Sequence, residues 1–392
     1  MKVLLVSEPG VDGVFRYVEA LAHFLLHRGV RVHFAYSDRR AGRPLADLVA
    51  YVRAHGGAVL NLRVGPRPGP ADLRALFALR ALVGAVRPDV IHSHSSKAGA
   101  LARLLPLLGI RTPQVYHPHA YAGMRPQPPP ARWFYDTIES VLGRRGITLN
   151  VSADEHDYAR RRLRLPATRT ACVPNGVDCE RFRPAAPGAR ARLRARFGLP
   201  AHALILGSLG RATVQKDPFT LYRAFARALA VEPELTLFHL GRGELDNGLD
   251  AFVRDAGLRP RIHRLAGWDA PVEFYQCLDG FILTSVYEGL SLAALEALAC
   301  DLPLILSTAP GNTALLRLPL NRCWSAAPRD VPGFADAIVR WARALRSEVR
   351  PESNHRATAI AHFDLHGNLR RVLDVYGGLL FLERAGLHGF YR

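Results

Sequence analysis

The stretch VYEGLSLAALEALAC, residues 286–300, carries two acidic residues eight positions apart, Glu288 and Glu296. It follows a short apolar run of strand type, residues 281–285. Its leucines and alanines then repeat with helical spacing. Glu288 is therefore predicted to lie in a strand-to-helix loop, and Glu296 about one and a half turns into the helix. Such a strand–loop–helix unit is typical of α/β proteins with parallel sheets.

The loop between the two carboxylates is a candidate ligand site. Gly289, Leu290 and Ser291 lie where the backbone N–H groups of a helix start can hold a phosphate. A nucleotide-sugar suits this arrangement, with Glu288 facing sugar hydroxyls and Glu296 facing a ribose. The alternative is an acidic residue near a helix start that is favoured only by the helix dipole.

Lysine usage points to a second candidate site. Arginine occurs 49 times and lysine only three times, and one of these lysines is Lys216 in LILGSLGRATVQKDPFTLYRAF, residues 204–225. A buried-type strand here runs into a loop, and a helix is predicted to begin near Asp217. Arg211 and Lys216 would project from the C-terminal end of that strand, the usual ligand edge of an open α/β sheet. Two cations there can neutralise a leaving diphosphate, whereas the alternative is two solvated surface cations.

Four motifs in this order resemble the group 1 glycosyltransferases, which are retaining enzymes of GT-B fold. The motifs are His92-Ser-His94-Ser-Ser-Lys97-Ala-Gly99, Pro174-Asn-Gly-Val-Asp178 with Arg181-Phe182, the cations Arg211 and Lys216, and the pair Glu288 and Glu296. The resemblance covers nearly the whole chain. The first motif is most similar to enzymes that build bacterial surface polysaccharides and lipid-linked oligosaccharides.

The domain organisation expected from length and pattern agrees with that resemblance. A chain of 392 residues predicts two domains or slightly more. A Pro/Gly-rich break near residues 183–188 separates them. The resemblance implies two Rossmann-like, doubly wound parallel-sheet domains with an interdomain cleft: an acceptor domain, residues 1–185, and a nucleotide-sugar donor domain, residues 189–365. It also implies that a C-terminal helix, about residues 366–392, packs back on the first domain.

Short apolar segments predict twelve strands, seven in the first half and five in the second. They are Lys2–Ser7, Val30–Tyr36, Ala58–Leu62, Val90–His92, Gln114–His117, Thr148–Val151, Thr170–Val173, Ala203–Ser208, Leu235–Leu240, Ile262–Leu265, Gly280–Thr284 and Leu302–Leu306.

The resemblance places further residues in the donor site. His119 matches the histidine that approaches the donor sugar, although Ala120 stands where the family usually has Gly. Gly267 and Trp268 match a segment that holds the nucleobase through its backbone, with interdomain packing as the alternative for Trp268. Gly210 belongs to the same loop as the two cations.

Other family positions concern the acceptor or a phosphate. Gly10 and Gly13 follow the first strand, where either a ligand loop or a simple turn would explain them. His94 and Lys97 lie in the first motif, and Lys97 is equally well explained as a surface residue at a helix start. His92 is expected to be packed and hydrogen-bonded. Asp301 stands where the family usually has Gly, which predicts a local adjustment of the turn without loss of activity.

Neither a metal nor another cofactor is expected. The sequence contains no D-x-D spacing of the kind that holds a diphosphate through Mn²⁺, and its five cysteines show no ligand spacing. Arg211, Lys216 and the helix start at Leu290–Ser291 can compensate the charge instead. The resemblance implies retention by front-face attack, with the leaving phosphate helping to deprotonate the acceptor.

Charge is unevenly distributed along the chain. The formal net charge is +18, and residues 1–187 hold 27 Lys and Arg against 14 Asp and Glu. No nucleic-acid motif accompanies this excess of basic residues. Contact of the first domain with an anionic membrane is therefore favoured over nucleic-acid binding. The alternative is that the excess reflects a coding bias toward arginine. The candidate contact segment follows His119 and contains Arg125, Arg132, Trp133, Phe134, Arg144 and Arg145.

These observations predict a cytoplasmic enzyme, peripheral at the inner face of the membrane. No signal peptide is expected, because the first predicted strand begins at Lys2, and no apolar run reaches roughly 18–20 residues. The predicted activity is retaining transfer of a sugar from a UDP-sugar, or alternatively a GDP-sugar, to a glycan or lipid-linked acceptor in surface polysaccharide synthesis. The alternatives are a non-catalytic nucleotide-sugar-binding subunit and another GT-B enzyme such as an epimerase or a phosphorylase. A nucleic-acid binder is a further, weaker alternative.

Overall fold

A computed structural model describes residues 1–40, 42–267, 270–347 and 352–385. The chain divides into two compact units. Unit 1 comprises Met1–Asn175 and the chain from His366 onward, and unit 2 comprises Gly176–Leu365. Each unit is built on one parallel sheet whose strands alternate with helices.

Unit 1 contains a seven-stranded sheet. Its strands are β1 (Lys2–Ser7), β2 (Arg31–Tyr36), β3 (Val59–Asn61), β4 (Val90–His94), β5 (Gln114–His117), β6 (Ile147–Asn150) and β7 (Thr170–Cys172). Its helices are α1 (Asp12–His27), α2 (Arg43–Ala54), α3 (Ala71–Val86), α4 (Ser96–Leu104), α5 (Pro129–Leu142) and α6 (Ala153–Asp157). Short 3₁₀ turns cover Leu105–Leu108, Ala122–Met124 and Ala167–Arg169, and a π-helical turn covers Tyr158–Arg162.

Unit 2 contains a six-stranded sheet. Its strands are β8 (Leu204–Leu209), β9 (Leu235–Leu240), β10 (Ile262–Leu265), β11 (Gly280–Leu283), β12 (Leu304–Ser307) and β13 (Cys323–Ala326). The helices are α7 (Ala189–Arg196), α8 (Pro218–Leu229), α9 (Asp246–Asp255), α10 (Pro271–Gln276), α11 (Leu292–Ala299), α12 (Thr313–Leu316), α13 (Val331–Arg346) and α14 (His355–Phe363). The final helix, α15 (Leu365–Arg384), belongs to unit 1 from His366 onward.

Both sheets have the Rossmann strand order. Unit 1 runs β3-β2-β1-β4-β5-β6-β7, and unit 2 runs β10-β9-β8-β11-β12-β13. In each sheet the order reverses beside the first strand, between β1 and β4 in unit 1 and between β8 and β11 in unit 2. Open parallel sheets bind ligands at the carboxyl ends of the strands that flank this reversal.

Strands such as β1 and β9 are buried along nearly their whole length because helices cover both faces of each sheet. In unit 2, Leu206, Leu237, Ile282 and Ile305 are buried from four neighbouring strands. They pack in one cluster with side chains of α8 and α13. None of the helices in the described part of the chain is both long enough and apolar enough to cross a membrane.

All twelve predicted strands are present, with ends within two residues of the observed ones. The edge strand β13 was missed because its sequence, Cys-Trp-Ser-Ala, has neither an apolar run nor a clear alternation. It pairs only with β12 among the described strands.

The boundary between the units lies ten residues before the predicted end of the first domain at residue 185. The N–H of Val177 donates to Phe363 O at 2.8 Å, and the guanidinium of Arg356 donates to the carbonyls of Cys179 and Phe182 at 3.0 Å. These bonds fasten the segment after Asn175 to α14. The predicted boundary was based on the Pro/Gly-rich composition of residues 183–188. Composition does not indicate hydrogen bonds between segments that are far apart in the sequence.

Candidate active site

The carboxylate of Glu288 pairs with Lys216 in unit 2. Lys216 follows β8, Glu288 follows β11, and these strands are neighbours at the reversal of the strand order. The Nζ atom of Lys216 lies 2.5 Å from Oε1 of Glu288. Two residues predicted separately to act on a ligand therefore lie together at the edge where parallel sheets bind ligands.

Hydrogen bonds join the two loops that carry this pair. The Thr284 hydroxyl donates to Lys216 O at 3.0 Å. The N–H of Val286 donates to Gln215 O at 2.8 Å, and the Gln215 side-chain amide donates to Tyr287 O at 3.2 Å. The backbone around both charged residues is thus tied together before any ligand binds, which favours a preorganised electrostatic site.

Asp217 explains why α8 begins directly after Lys216. Asp217 has a left-handed φ of 47°, and its carboxylate accepts a hydrogen bond from the Thr220 N–H at 3.3 Å. Pro218 occupies the first helical position, where its missing N–H has no cost. Lys216 is consequently the last residue of the loop, as the sequence predicted.

The backbone of Glu288 is positioned by the segment after β12. Its N–H donates to Pro310 O at 2.9 Å. Gly311 has a φ of +89°, and a Cβ atom there would lie 2.4 Å from the Glu288 carbonyl oxygen. Only glycine allows this approach, so Gly311 is a positioning residue for the site that sequence reasoning did not identify.

The start of α11 has the features of an anion site. The Ser291 hydroxyl accepts a hydrogen bond from the Ala294 N–H at 3.4 Å and caps the helix. Gly289, Leu290 and Ser291 are buried beside Glu288. Glu296 lies about one turn into the helix, slightly nearer its start than the predicted one and a half turns, and accepts a hydrogen bond from the Tyr275 hydroxyl at 2.6 Å. Tyr275 thus orients the carboxylate predicted to face a ribose.

The Lys216–Glu288 ion pair is only partly open to solvent. The Glu288 side chain is 8% exposed, and that of Lys216 is 24% exposed. Removal of either charge would leave the other poorly solvated. The pair can exchange partners: a phosphate would satisfy the ammonium, and sugar hydroxyls would satisfy the carboxylate.

Gly210 and Arg211 lie on the same loop as Lys216. The Arg211 side chain is exposed, and a Cβ atom at Gly210 would lie 3.3 Å from Cε of Lys216. The loop after β9 also approaches closely, since a Cβ atom at Gly241 would lie 2.2 Å from Gly210 O. Gly241, with a φ of +133°, is a second glycine that sequence reasoning missed.

The nucleobase segment predicted after β10 is only partly described. Gly267 is exposed, and no atom lies within 4 Å of the position its Cβ would take. Trp268 lies outside the described residues.

In unit 1, His94 and His119 are brought together. His94 ends β4, His119 follows β5, and their Nδ1 and Nε2 atoms are 3.1 Å apart. Burial lowers the pKa of His119 to about 3, so its imidazole is neutral near neutral pH. A neutral imidazole can donate or accept a hydrogen bond but supplies no positive charge.

The other predicted residues of unit 1 have structural contacts. Lys97 donates to the carboxylate of Asp72 and, at 2.9 Å, to Arg67 O. The N–H of Gly10 donates to Arg40 O at 2.9 Å, and a Cβ atom at Gly10 would collide with that oxygen. These contacts give Gly10 and Lys97 structural partners within unit 1, although the Lys97 side chain is only 9% exposed and does not match the predicted surface position. Gly13 is exposed in the first turn of α1.

Comparison with known proteins identifies the family. Residues 12–176 match the glycosyl transferase 4-like domain, and residues 202–344 match glycosyl transferases group 1. The D-inositol 3-phosphate glycosyltransferase of Saccharomonospora viridis is 30% identical over 407 residues, covering 94% of this chain and 90% of the relative. The chain belongs to the group 1 glycosyltransferases. The UDP-Gal:alpha-D-GlcNAc-diphosphoundecaprenol alpha-1,3-galactosyltransferase of Escherichia coli is 29% identical, covering 78% of this glycosyltransferase and 79% of the relative.

Solved structures show the same fold. HepE from Anabaena, crystallised with UDP, superimposes with a TM-score of 0.78 at 19% identity, covering 96% of this chain and all of that one. WaaG, a glycosyltransferase involved in lipopolysaccharide biosynthesis, gives a TM-score of 0.71 at 14% identity, covering 96% and 100%. The prediction of two Rossmann-like domains of GT-B type is confirmed.

This glycosyltransferase accommodates Ala120 in place of the family's usual Gly. Ala120 has a φ of 91°, in the range that glycine favours, and His119 before it has a φ of 52°. The Glu155 carboxylate accepts hydrogen bonds from the N–H groups of Ala120 and Val151. Burial raises the pKa of Glu155 to about 7, and these two bonds act in the opposite direction. The loop therefore keeps a glycine-type backbone that Glu155 holds in place.

Asp301 is the other departure from the family pattern. It has a left-handed φ of 61°, which Asp tolerates better than most residues. Its carboxylate accepts hydrogen bonds from the Ser353 hydroxyl at 2.8 Å and the Arg356 N–H at 3.1 Å. Asp301 thus keeps the turn and caps the start of α14, the local adjustment that the sequence predicted.

Proposed function

We propose that this glycosyltransferase is a retaining enzyme that transfers a sugar from a nucleotide diphosphate donor to a glycan or lipid-linked acceptor in surface polysaccharide synthesis. A UDP-sugar is favoured over a GDP-sugar. The observation that carries the proposal is the contact of Lys216 with Glu288 at the strand reversal of unit 2. The galactosyltransferase relative, whose name specifies UDP-Gal and a diphosphoundecaprenol-linked acceptor, and HepE with bound UDP support the substrate class.

Each of the site residues is proposed to bind a different part of the donor. Lys216 and Arg211 would stabilise the charge that grows on the leaving diphosphate, aided by the N–H groups at the start of α11. Glu288 would accept hydrogen bonds from sugar hydroxyls, and Glu296, oriented by Tyr275, from the ribose. The neutral imidazole of His119 would hydrogen-bond to the donor sugar.

The bond changes follow from retention. The bond between the anomeric carbon and the diphosphate oxygen breaks, and the acceptor oxygen forms its bond to the anomeric carbon on the same face. The acceptor proton passes to an oxygen of the leaving diphosphate. Neither a covalent intermediate on the protein nor a separate general base is required.

The reaction is proposed to need neither a divalent metal nor another cofactor. The sequence has no D-x-D spacing, while Lys216, Arg211 and the helix start offer equivalent charge compensation. Saturating EDTA is therefore expected to leave the initial rate unchanged.

A cytoplasmic location with peripheral contact of unit 1 to an anionic membrane is proposed for the lipid-linked acceptor. On α5, Trp133 is 68% exposed, Phe134 49% and Val141 61%. At 100° per residue the three fall within an arc of about 100°, on the side of the helix opposite the buried Glu139. Arg125 and Arg144 are exposed in the segments that flank this helix. An apolar stripe flanked by cations suits a lipid interface.

The direct test is donor turnover by the purified full chain. UDP- and GDP-sugars would be offered with and without a diphosphoundecaprenol-linked acceptor, and nucleoside diphosphate and glycolipid would both be measured. The proposal would be supported by acceptor-dependent release of the nucleoside diphosphate that EDTA leaves unchanged and that Lys216→Ala strongly reduces. Release without transfer, or strict dependence on Mn²⁺ or Mg²⁺, would contradict it.

A further inference from the structure

A buried cluster of histidine side chains lies in unit 1. His92 and His94 are two residues apart on β4, and His117 ends β5 with His119 two residues beyond. Side chains at i and i+2 of a strand share one face. The strand register pairs His94 with His117, so all three strand histidines lie on the same face of the sheet. The ring centroids are 4.1 Å apart for His92 and His94, and 5.1 Å apart for His92 and His117.

The nitrogen atoms of this cluster converge. One ring nitrogen from each of His92, His94 and His117 lies within 4.8 Å of the other two, and all three side chains are fully buried. The Nε2 atoms of His94 and His117 have no hydrogen-bond partner among the described residues. A buried polar atom without a partner costs about 1–3 kcal/mol, so two of them in one cluster point to a bound species.

The chemistry of the cluster suits a metal ion. Burial lowers the pKa of His92, His94 and His117 well below the usual value, so the rings are in the neutral form that binds metals. Three imidazoles are a common ligand set for Zn²⁺. Tetrahedral geometry with Zn–N bonds of about 2.0–2.1 Å needs nitrogens about 3.3 Å apart. The nitrogens need to draw together by no more than about 1.5 Å, within reach of small side-chain rotations.

The Nδ1 atoms of His92 and His94 make outer contacts of the kind that metal-binding histidines make, whereas Nε2 of His92 lies 3.1 Å from Nδ1 of His117, a contact that an ion bound between the rings would replace. Nδ1 of His92 lies 2.6 Å from the Tyr376 hydroxyl on α15, and Nδ1 of His94 lies 3.1 Å from Nε2 of His119. Such outer contacts select the tautomer and orient the ring for the metal. Tyr17 on α1 packs edge-on against His117, with ring centroids 5.2 Å apart.

We propose that His92, His94 and His117 hold a Zn²⁺ ion in unit 1, with water in the fourth position. The ion would join β4 and β5 and, through Tyr376, tie the final helix to the sheet. Through His94 it would also set the hydrogen bond that His119 receives.

The test uses the full chain after tag removal, stripped with a chelator and dialysed. Zn²⁺ would be titrated in competition with a chromophoric chelator, and the melting temperature would be followed. One ion per chain and a raised melting temperature are expected. His94→Gln and His117→Gln should each weaken binding at least tenfold, and Tyr376→Phe about tenfold through the outer contact.

His33 offers a matched control. It is also buried in unit 1, with Nδ1 bonded to the Ala58 N–H at 3.0 Å and an unpartnered Nε2, but it lies outside the cluster. His33→Gln should leave Zn²⁺ affinity unchanged. Because a cluster variant can fail to fold, X-ray absorption of the zinc-loaded wild type provides an independent test. Three or more nitrogen ligands at about 2.0–2.1 Å would support the site. Absence of stoichiometric binding, coordination mainly by oxygen or sulfur, or undiminished binding in the double variant H94Q/H117Q would overturn it.

Discussion

The backbone of Gly311 approaches Glu288 so closely that a Cβ atom on Gly311 would lie 2.4 Å from the Glu288 carbonyl oxygen. Gly311→Ala is therefore expected to displace Glu288 and to reduce transfer more than tenfold, while the fold of unit 2 persists. Gly257→Ala is the matched control, since Gly257 also has a positive φ, of +65°, but has no atom within 4 Å of its Cβ position. Steady-state rates and urea unfolding are measured for both variants. The comparison separates the steric clash, which only Gly311→Ala introduces, from the strain of a positive φ, which both variants share. Equal losses of activity in the two variants would refute a positioning role.

The cationic loop should be required for chemistry. Lys216→Ala and Arg211→Ala are each expected to lower transfer by roughly 2–4 kcal/mol of transition-state stabilisation without unfolding the protein. Lys216→Arg should also be impaired, because a planar guanidinium does not reproduce the point charge that contacts Glu288. Arg254→Ala, at an exposed residue of α9, serves as the charge-matched control. Near-normal turnover by both alanine variants would end this assignment.

Unit 1 is expected to bind anionic vesicles. Each cation near the surface contributes about 1 kcal/mol, so recovery by flotation should fall steeply with salt and be lost on neutral vesicles. The double variant W133A/F134A should bind several-fold less. Phe77→Ala, which removes a similarly exposed ring from α3, should not weaken vesicle binding. Equal recovery with neutral and anionic vesicles would contradict this proposal and indicate that the excess of basic residues reflects a coding bias toward arginine.

His239 should make unit 2 less stable in mild acid. Burial lowers its pKa from 6.5 to about 4, with Arg264 acting in the same direction and Asp246 in the opposite one. The unfolded chain therefore binds a proton between these values that the folded chain does not, and stability falls as pH falls from 6.5 toward 4. Between pH 7 and pH 5 the wild type should lose about 2 kcal/mol more than His239→Gln in urea unfolding. A variant with the same pH slope as the wild type would show that His239 is not the source.

Much of the fold follows from local pattern. Strands such as Lys2–Ser7 and Leu235–Leu240 are continuous apolar runs bounded by loop residues, because both faces of a parallel sheet are covered. β13 lacks such a run. The segment from Gly176 to Pro187 joins unit 2 through hydrogen bonds to α14, which lies about 180 residues later in the chain.

The residues of the candidate site also differ in whether local sequence pattern predicts them. Lys216, Glu288 and Glu296 were found because their residue types stand at the ends of predictable strands and helices. Gly311 and Tyr275 were not, since their roles depend on one backbone approach and one hydrogen bond between distant segments. The repeated His-x-His pattern of β4 and β5 was visible, but its convergence required the strand register.

The anomeric configuration of the product tests the central claim most directly. The purified enzyme would be given an α-configured UDP-sugar and a diphosphoundecaprenol-linked acceptor, and the new linkage would be assigned by NMR from its anomeric coupling. We expect an α-linked product and stoichiometric UDP from the wild type, and formation of both at least about 30-fold more slowly by Lys216→Ala. A β-linked product, or full transfer by Lys216→Ala, would contradict retaining transfer through the Lys216–Glu288 site.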